Sequence, residues 1–170
     1  MNKGIITGTL LIVLSFLSIE QAEAKEPFDI AAGHSMQKIK RDGSNLYTLQ
    51  FNPRIYLDVA CDESESFQLV VIPNGQSISA VQVLTEPIEE FGHKLELKWH
   101  LVGYVRTGNP SYRTESVGWW PDPLLPATDF NVPADWVQPL WFTVTVPVGT
   151  KPGVYRSTIT IRASARRSKM

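Results

Sequence analysis

The chain has 170 residues, with 16 Lys and Arg against 17 Asp and Glu and a formal net charge of −1. A near-neutral balance with no basic stripe excludes the electrostatic footprint of a nucleic-acid binder. A single cysteine excludes an internal disulfide, so stability must come from a hydrophobic core, in which Cys61 is expected as a small buried apolar residue.

Residues 1–4 carry one positive charge, Lys3, and residues 5–19 form an apolar run that includes Leu10, Leu11, Ile12, Val13, Leu14, Phe16 and Leu17. Ala22-Glu23-Ala24 then places small residues where a signal peptidase reads, which completes the order of a secretory signal. A membrane-spanning helix wants roughly 20 apolar residues. This run is shorter and ends at Glu20-Gln21. We therefore expect a cleavable signal peptide over residues 1–24 and an exported product, periplasmic or extracellular, that is soluble and free of the membrane after cleavage.

Residues 25–45 are mixed and polar, with Pro27, Gly33 and Gly43, and read as a lead-in with room for one irregular strand. From residue 46 the pattern is that of strands. Residues 46–51 are apolar-rich and are broken by Asn52-Pro53. Ile55, Leu57 and Val59 alternate with Tyr56, Asp58 and Ala60 and share one face, and residues 66–72 form a run that ends at the turn signal Pro73-Asn74-Gly75. Residues 78–84 follow, with Val81 and Val83 on one face and Ala80, Gln82 and Leu84 on the other. Leu95, Leu97, Trp99 and Leu101 alternate with Glu96, Lys98 and His100, and Leu140, Phe142, Val144 and Val146 alternate with Trp141, Thr143 and Thr145. A last alternating run covers residues 155–162, joined to the previous one by a hairpin-like connection at 147–153. A period of two puts one set of side chains inward and the other outward. Leu69, Val71, Trp99, Phe142 and Ile159 are expected buried, and Lys98, Thr143 and Thr158 exposed.

No segment shows a sustained helical period. Strands separated by turn signals, with no helices to cover a parallel sheet, predict an all-β fold: an antiparallel β-sandwich, immunoglobulin-like or jelly-roll-like, over residues 46–163. Residues 164–170 form a basic tail. Residues 107–138 stand out as a long loop stiffened by Pro110, Pro121, Pro123, Pro126 and Pro133, and rich in aromatics, among them Trp119, Trp120, Phe130 and Trp136. A loop of this length is usually functional, and it could also cover a sheet edge.

Four segments resemble one family. Residues 63–71, Glu-Ser-Glu-Ser-Phe-Gln-Leu-Val-Val, are similar to its "GE-x-ESFQLVV" strand, and residues 118–126 contain its "PDPLLP" segment. Residues 138–144 and 152–155 are similar to its "QPLWVTV" and "PGTY" strands, in the same order and spacing. The family is the N-terminal β-sandwich domain of glycoside hydrolase family 123-like proteins. The resemblance implies a (β/α)-barrel after the sandwich, carrying an adjacent Asp-Glu pair in the hexosaminidase members, where the substrate's own acetamido group is the nucleophile. The chain reaches Met170 just past the last strand, so no catalytic residue is carried over to it. It departs from the family at Cys61-Asp62, where a basic residue and Gly are more usual.

Few residues suggest chemistry. Glu63 and Glu65 share a strand face, as paired carboxylates in acid–base work can, but a strand entrance also uses such groups to bond loop amides. His34, His93 and His100 are scattered without metal-ligand spacing, and there is no phosphate loop or nucleophile elbow, so no metal and no cofactor is expected. The sharpest candidates for a substrate-binding site are Trp119, Trp120 and Asp122, flanked by Tyr112. Indole rings stack on the apolar faces of sugars, and a carboxylate binds their hydroxyls. The same rings could instead pack the loop onto the domain or onto a following barrel. The expected function is thus a non-catalytic accessory domain of a glycoside-hydrolase-like exported protein, with a stand-alone carbohydrate-binding module as the alternative. The expected partners are a carbohydrate or a barrel catalytic domain.

Overall fold

The computed structural model describes residues 26–51, 53–113 and 117–164. Residues 1–24, expected to be a signal peptide, and most of the expected basic tail lie outside them. Among the described residues ten strands occur in chain order: β1 Phe28–His34, β2 Gln50–Phe51, β3 Ser64–Pro73, β4 Ile78–Thr85, β5 Ile88–Glu90, β6 His93–Thr107, β7 Gly118–Leu125, β8 Asp129–Val132, β9 Gln138–Thr145 and β10 Ile159–Ser164. A short 3-10 turn spans Leu46–Thr48. The fold is all-β and every pairing is antiparallel. The larger sheet runs β2-β1-β3-β9-β6-β5, with β7 also paired to β6, and the smaller runs β10-β4-β8.

The two sheets share one core. Phe67, Leu69 and Val71 of β3 and Leu140, Phe142 and Val144 of β9 pack in a cluster with Val81 of β4 and Phe130 and Val132 of β8. The apolar run Leu69-Val70-Val71 is continuous because β3 is covered on both sides: Val70 faces away from that cluster and packs with Ile39 and Val137. Gln68 is the one buried polar residue among the described residues, 3% exposed. Its Nε2 donates to the carbonyls of His34 (3.1 Å) and Gln37 (2.9 Å), which removes the cost of burying an amide and ties β3 to the turn after β1.

Expected burial holds for Leu69, Val71 and Phe142, and expected exposure for Lys98 and Thr158. Trp99 and Ile159 are half-buried, packed against the margin of the core. Thr143 is half-buried instead of exposed, because its hydroxyl shares a hydrogen bond with Ser66 Oγ (3.0 Å) and accepts the Trp141 indole N–H (3.2 Å).

Several local expectations are corrected. The lead-in carries a regular strand, β1, paired along its length with β3. Residues 46–49 form a turn, leaving only β2 as strand. Ile55, Leu57 and Val59 do turn inward, yet residues 53–60 pair with no strand, so their alternation records burial alone. On β4 the parity breaks: Ile78 and Val81 are both buried, because a bulge with Ala80 at φ 50° inserts a residue between them. The 147–153 connection is no hairpin. It carries the chain from β9 in the larger sheet to β10 in the smaller.

Cys61 is exposed, not buried. It sits in a turn closed by Glu63 N–H on the Ala60 carbonyl (3.3 Å), with its Sγ donating to Pro147 O (3.3 Å). The stretch 107–138 is also not an unstructured loop, since it contains β7 and β8. Proline suits an edge strand, whose outer side needs no donors. β7 pairs with β6 alone, and the register slips between Val102 and Tyr104 opposite the segment holding Pro121 and Pro123.

Candidate functional site

Three chain segments meet at one corner of the larger sheet. The first is the loop after β1. Ile39 anchors it, 1% exposed against Val70 and Val137, and its carbonyl accepts the Tyr104 hydroxyl of β6 (3.0 Å). Burial pushes the Tyr104 phenol up, so it stays a neutral donor. Asn45 Oδ1 accepts the Lys40 N–H (3.0 Å) and Asn45 Nδ2 donates to Lys38 O (2.7 Å). Asp42 Oδ1 accepts the Ser44 N–H (3.0 Å), and that bond holds the Asp42 carboxyl below its usual range. The second segment is the turn before β9, where Trp136 N–H donates to Pro133 O (3.1 Å) and Val137 N–H donates to Arg41 O (2.9 Å). The third is β7, placed by its ladder to β6, in which Trp119 stands opposite Arg106 and Trp120 opposite Val105.

The Arg41 guanidinium lies between two indoles, with its central carbon 3.8 Å from the Trp119 ring centroid and 3.7 Å from that of Trp136. Cation–π contacts of this kind contribute about 0.5–2 kcal/mol each, more when water is excluded. Arg41 thereby joins all three segments. Beside it opens a pocket of about 360 Å³, walled by Lys40, Asp42, Trp119, Trp120, Asp135 and Trp136 among others.

Trp119 is 43% exposed and Trp120 half-buried, and both line this pocket. Asp122 is exposed on β7 and Tyr112 is 74% exposed in the connection before it, and neither contributes to the pocket wall. Arg41 and Trp136 were not singled out by sequence reasoning. Trp136 was visible only as one aromatic in a Pro-rich stretch, and Arg41 lies in a polar lead-in with no local signal.

The other candidates do not assemble. Glu63, just before β3, and Glu65, within it, are both exposed and face no buried site. His34, His93 and His100 lie on separate stretches of β1 and β6. Among the described residues no group of three His, Cys, Asp or Glu is placed to hold a metal ion. No helix of the described residues is long and apolar enough to cross a membrane.

The motif-bearing strands β3, β7 and β9 lie in one sheet around this corner, and the family profile described as the glycoside hydrolase 123 N-terminal domain matches residues 62–163. The chain belongs to that family. A solved structure of a family 123 glycoside hydrolase from Clostridium perfringens, studied for glycolipid glycan hydrolysis, is similar in fold, with a TM-score of 0.63 at 18% sequence identity. The similarity covers 81% of this chain and 25% of that one, so the present chain spans about a quarter of that relative's length. None of the curated proteins matches it in sequence. Within the family 123 N-terminal domain, the match begins at Asp62, the residue after the exposed Cys61, and ends in β10.

Proposed function

We propose that this chain acts as a non-catalytic accessory domain of an exported carbohydrate-active protein, a β-sandwich of immunoglobulin-like or jelly-roll-like kind that supports or orients a barrel catalytic domain. The observation that carries this reading is the family match itself, which is to an N-terminal domain of a glycoside hydrolase family. The surface agrees with it. Val105 of β6 and Trp119, Leu124 and Leu125 of β7 are each more than 40% exposed along one ladder. They fall on both faces of the ladder, Val105 on the side of Trp120 and Trp119 on the side of Arg106, and apolar side chains on both faces of an edge strand suit a domain that packs around that edge. The alternative, a stand-alone carbohydrate-binding module that stacks sugars on Trp119 and Trp120, is less favoured. Arg41 lies over the Trp119 ring and competes with a sugar for stacking on that indole.

The test is a pair of measurements. The purified chain should show no turnover of aryl N-acetylhexosaminides. A family barrel domain made separately should associate with it and shift Trp119 and Trp120 fluorescence, with Leu125→Glu weakening the association. Turnover that survives purification and is lost in Glu65→Gln overturns the reading, as does an absence of association at high micromolar concentration.

A further inference from the structure

Arg41 is held by its backbone and by two aromatic rings. Its carbonyl accepts the Val137 N–H at 2.9 Å, and the turn around it is closed by Gly43 N–H on Lys40 O at 3.0 Å. The central carbon of its guanidinium lies over the Trp119 ring at 3.8 Å and over the Trp136 ring at 3.7 Å. A guanidinium carries five N–H donors, all in its plane. Among the described residues no carboxylate comes within ion-pair distance of it, and the ion pair found there is Lys98 with Glu96 at 3.1 Å. Arg41 forms part of the pocket wall.

We infer that Arg41 anchors a carboxylate-binding site whose ligand is a sugar acid of monosaccharide size. An in-plane guanidinium edge matches a carboxylate with two parallel hydrogen bonds, and the stacked rings fix it in advance. A pocket of about 360 Å³ is at the small end of ligand sites. Its wall adds Lys40 as donor, Asp135 as acceptor for hydroxyls, and the half-buried Trp120 as an apolar face. The wall charges balance, Lys40 and Arg41 against Asp42 and Asp135, so selection rests on the paired hydrogen bonds and not on a general positive field. Asp42 already accepts the Ser44 N–H within its own turn. The inference stands apart from the accessory role: either can fail while the other holds.

The experiment follows the indole N–H resonances of Trp119 and Trp136 by NMR on the full chain, titrated with galacturonate and glucuronate, and with galactose and acetate as controls. The uronates should shift both resonances and saturate in the millimolar range, with galactose and acetate each about tenfold weaker or more, the scale of a lost charge-assisted contact. Arg41→Lys keeps the charge but not the planar fork. With its melting temperature close to wild type, it should lose about tenfold in uronate affinity and leave galactose unchanged. If Arg41→Lys does not fold, the wild-type titration decides alone. Equal binding of galactose and galacturonate overturns the inference, and so does an unsaturated response up to about 50 mM uronate. Binding of an acidic peptide without any uronate response also overturns it, by showing that the carboxylate Arg41 meets is a protein's.

Discussion

Phe67 on β3 and Phe142 on β9 stand directly opposite each other, their rings stacked with centroids 5.1 Å apart and planes 8° from parallel. Phe142 is fully buried and Phe67 is 6% exposed. The pair sits between the strands that carry two of the family motifs. Phe142→Ala should destabilise the domain by about 3–5 kcal/mol, the range for emptying a large aromatic site in a packed core. Urea unfolding checks this, and a change below about 1 kcal/mol would mean the ring is not the core element the register makes it.

Asp62 has φ 68° in the turn before β3, the left-handed region that favours Gly. It is also where the family more usually has Gly. Its N–H donates to Val146 O at 2.9 Å, a bond that any residue type except Pro retains. Asp62→Gly should therefore raise stability by up to about 1 kcal/mol, and Asp62→Val should lower it by about 1–2 kcal/mol. Thermal melting of the two variants should move in opposite directions.

Gly153 lies against Phe91. A Cβ built on it would come 2.4 Å from Phe91 Cε2, and that ring is held edge-on to Tyr155 with centroids 6.0 Å apart. Phe91 itself is at φ 54° beside Gly92 at φ 76°, the two-residue turn between β5 and β6. Phe91 is 52% exposed and its ring can swing aside, so Gly153→Ala should cost only about 0.5–1 kcal/mol. In a Phe91→Ala background most of that cost should vanish, a coupling that a double-mutant cycle reads directly. Additive effects would place the cost in the backbone of residue 153 instead.

The signal reading has a direct check. N-terminal sequencing of exported protein should begin Lys25-Glu26-Pro27-Phe28, which leads directly into β1. Recovery of uncleaved chain only in a membrane fraction contradicts it.

The sequence by itself determined the all-β class, the antiparallel habit and the inward faces of β3 and β9. Period-two alternation reports which side of a strand meets apolar neighbours, and Leu69, Val71 and Phe142 bear this out. The four motifs likewise pointed to the family, because they are local strings. Alternation does not say which strand lies alongside, or whether any does: residues 53–60 alternate unpaired, and β10 joins β4 rather than β9. Proline misled for a related reason. It removes one donor, which ends a central strand, but β7 is paired on one side only and keeps its prolines. The pocket was decided by tertiary structure alone. Arg41, Trp119 and Trp136 come from a lead-in, an edge strand and a turn, and what joins them is a cation held between two rings after the sheet has formed. No spacing along the chain encodes such a contact, because it depends on how distant segments pack and not on the period of any one of them.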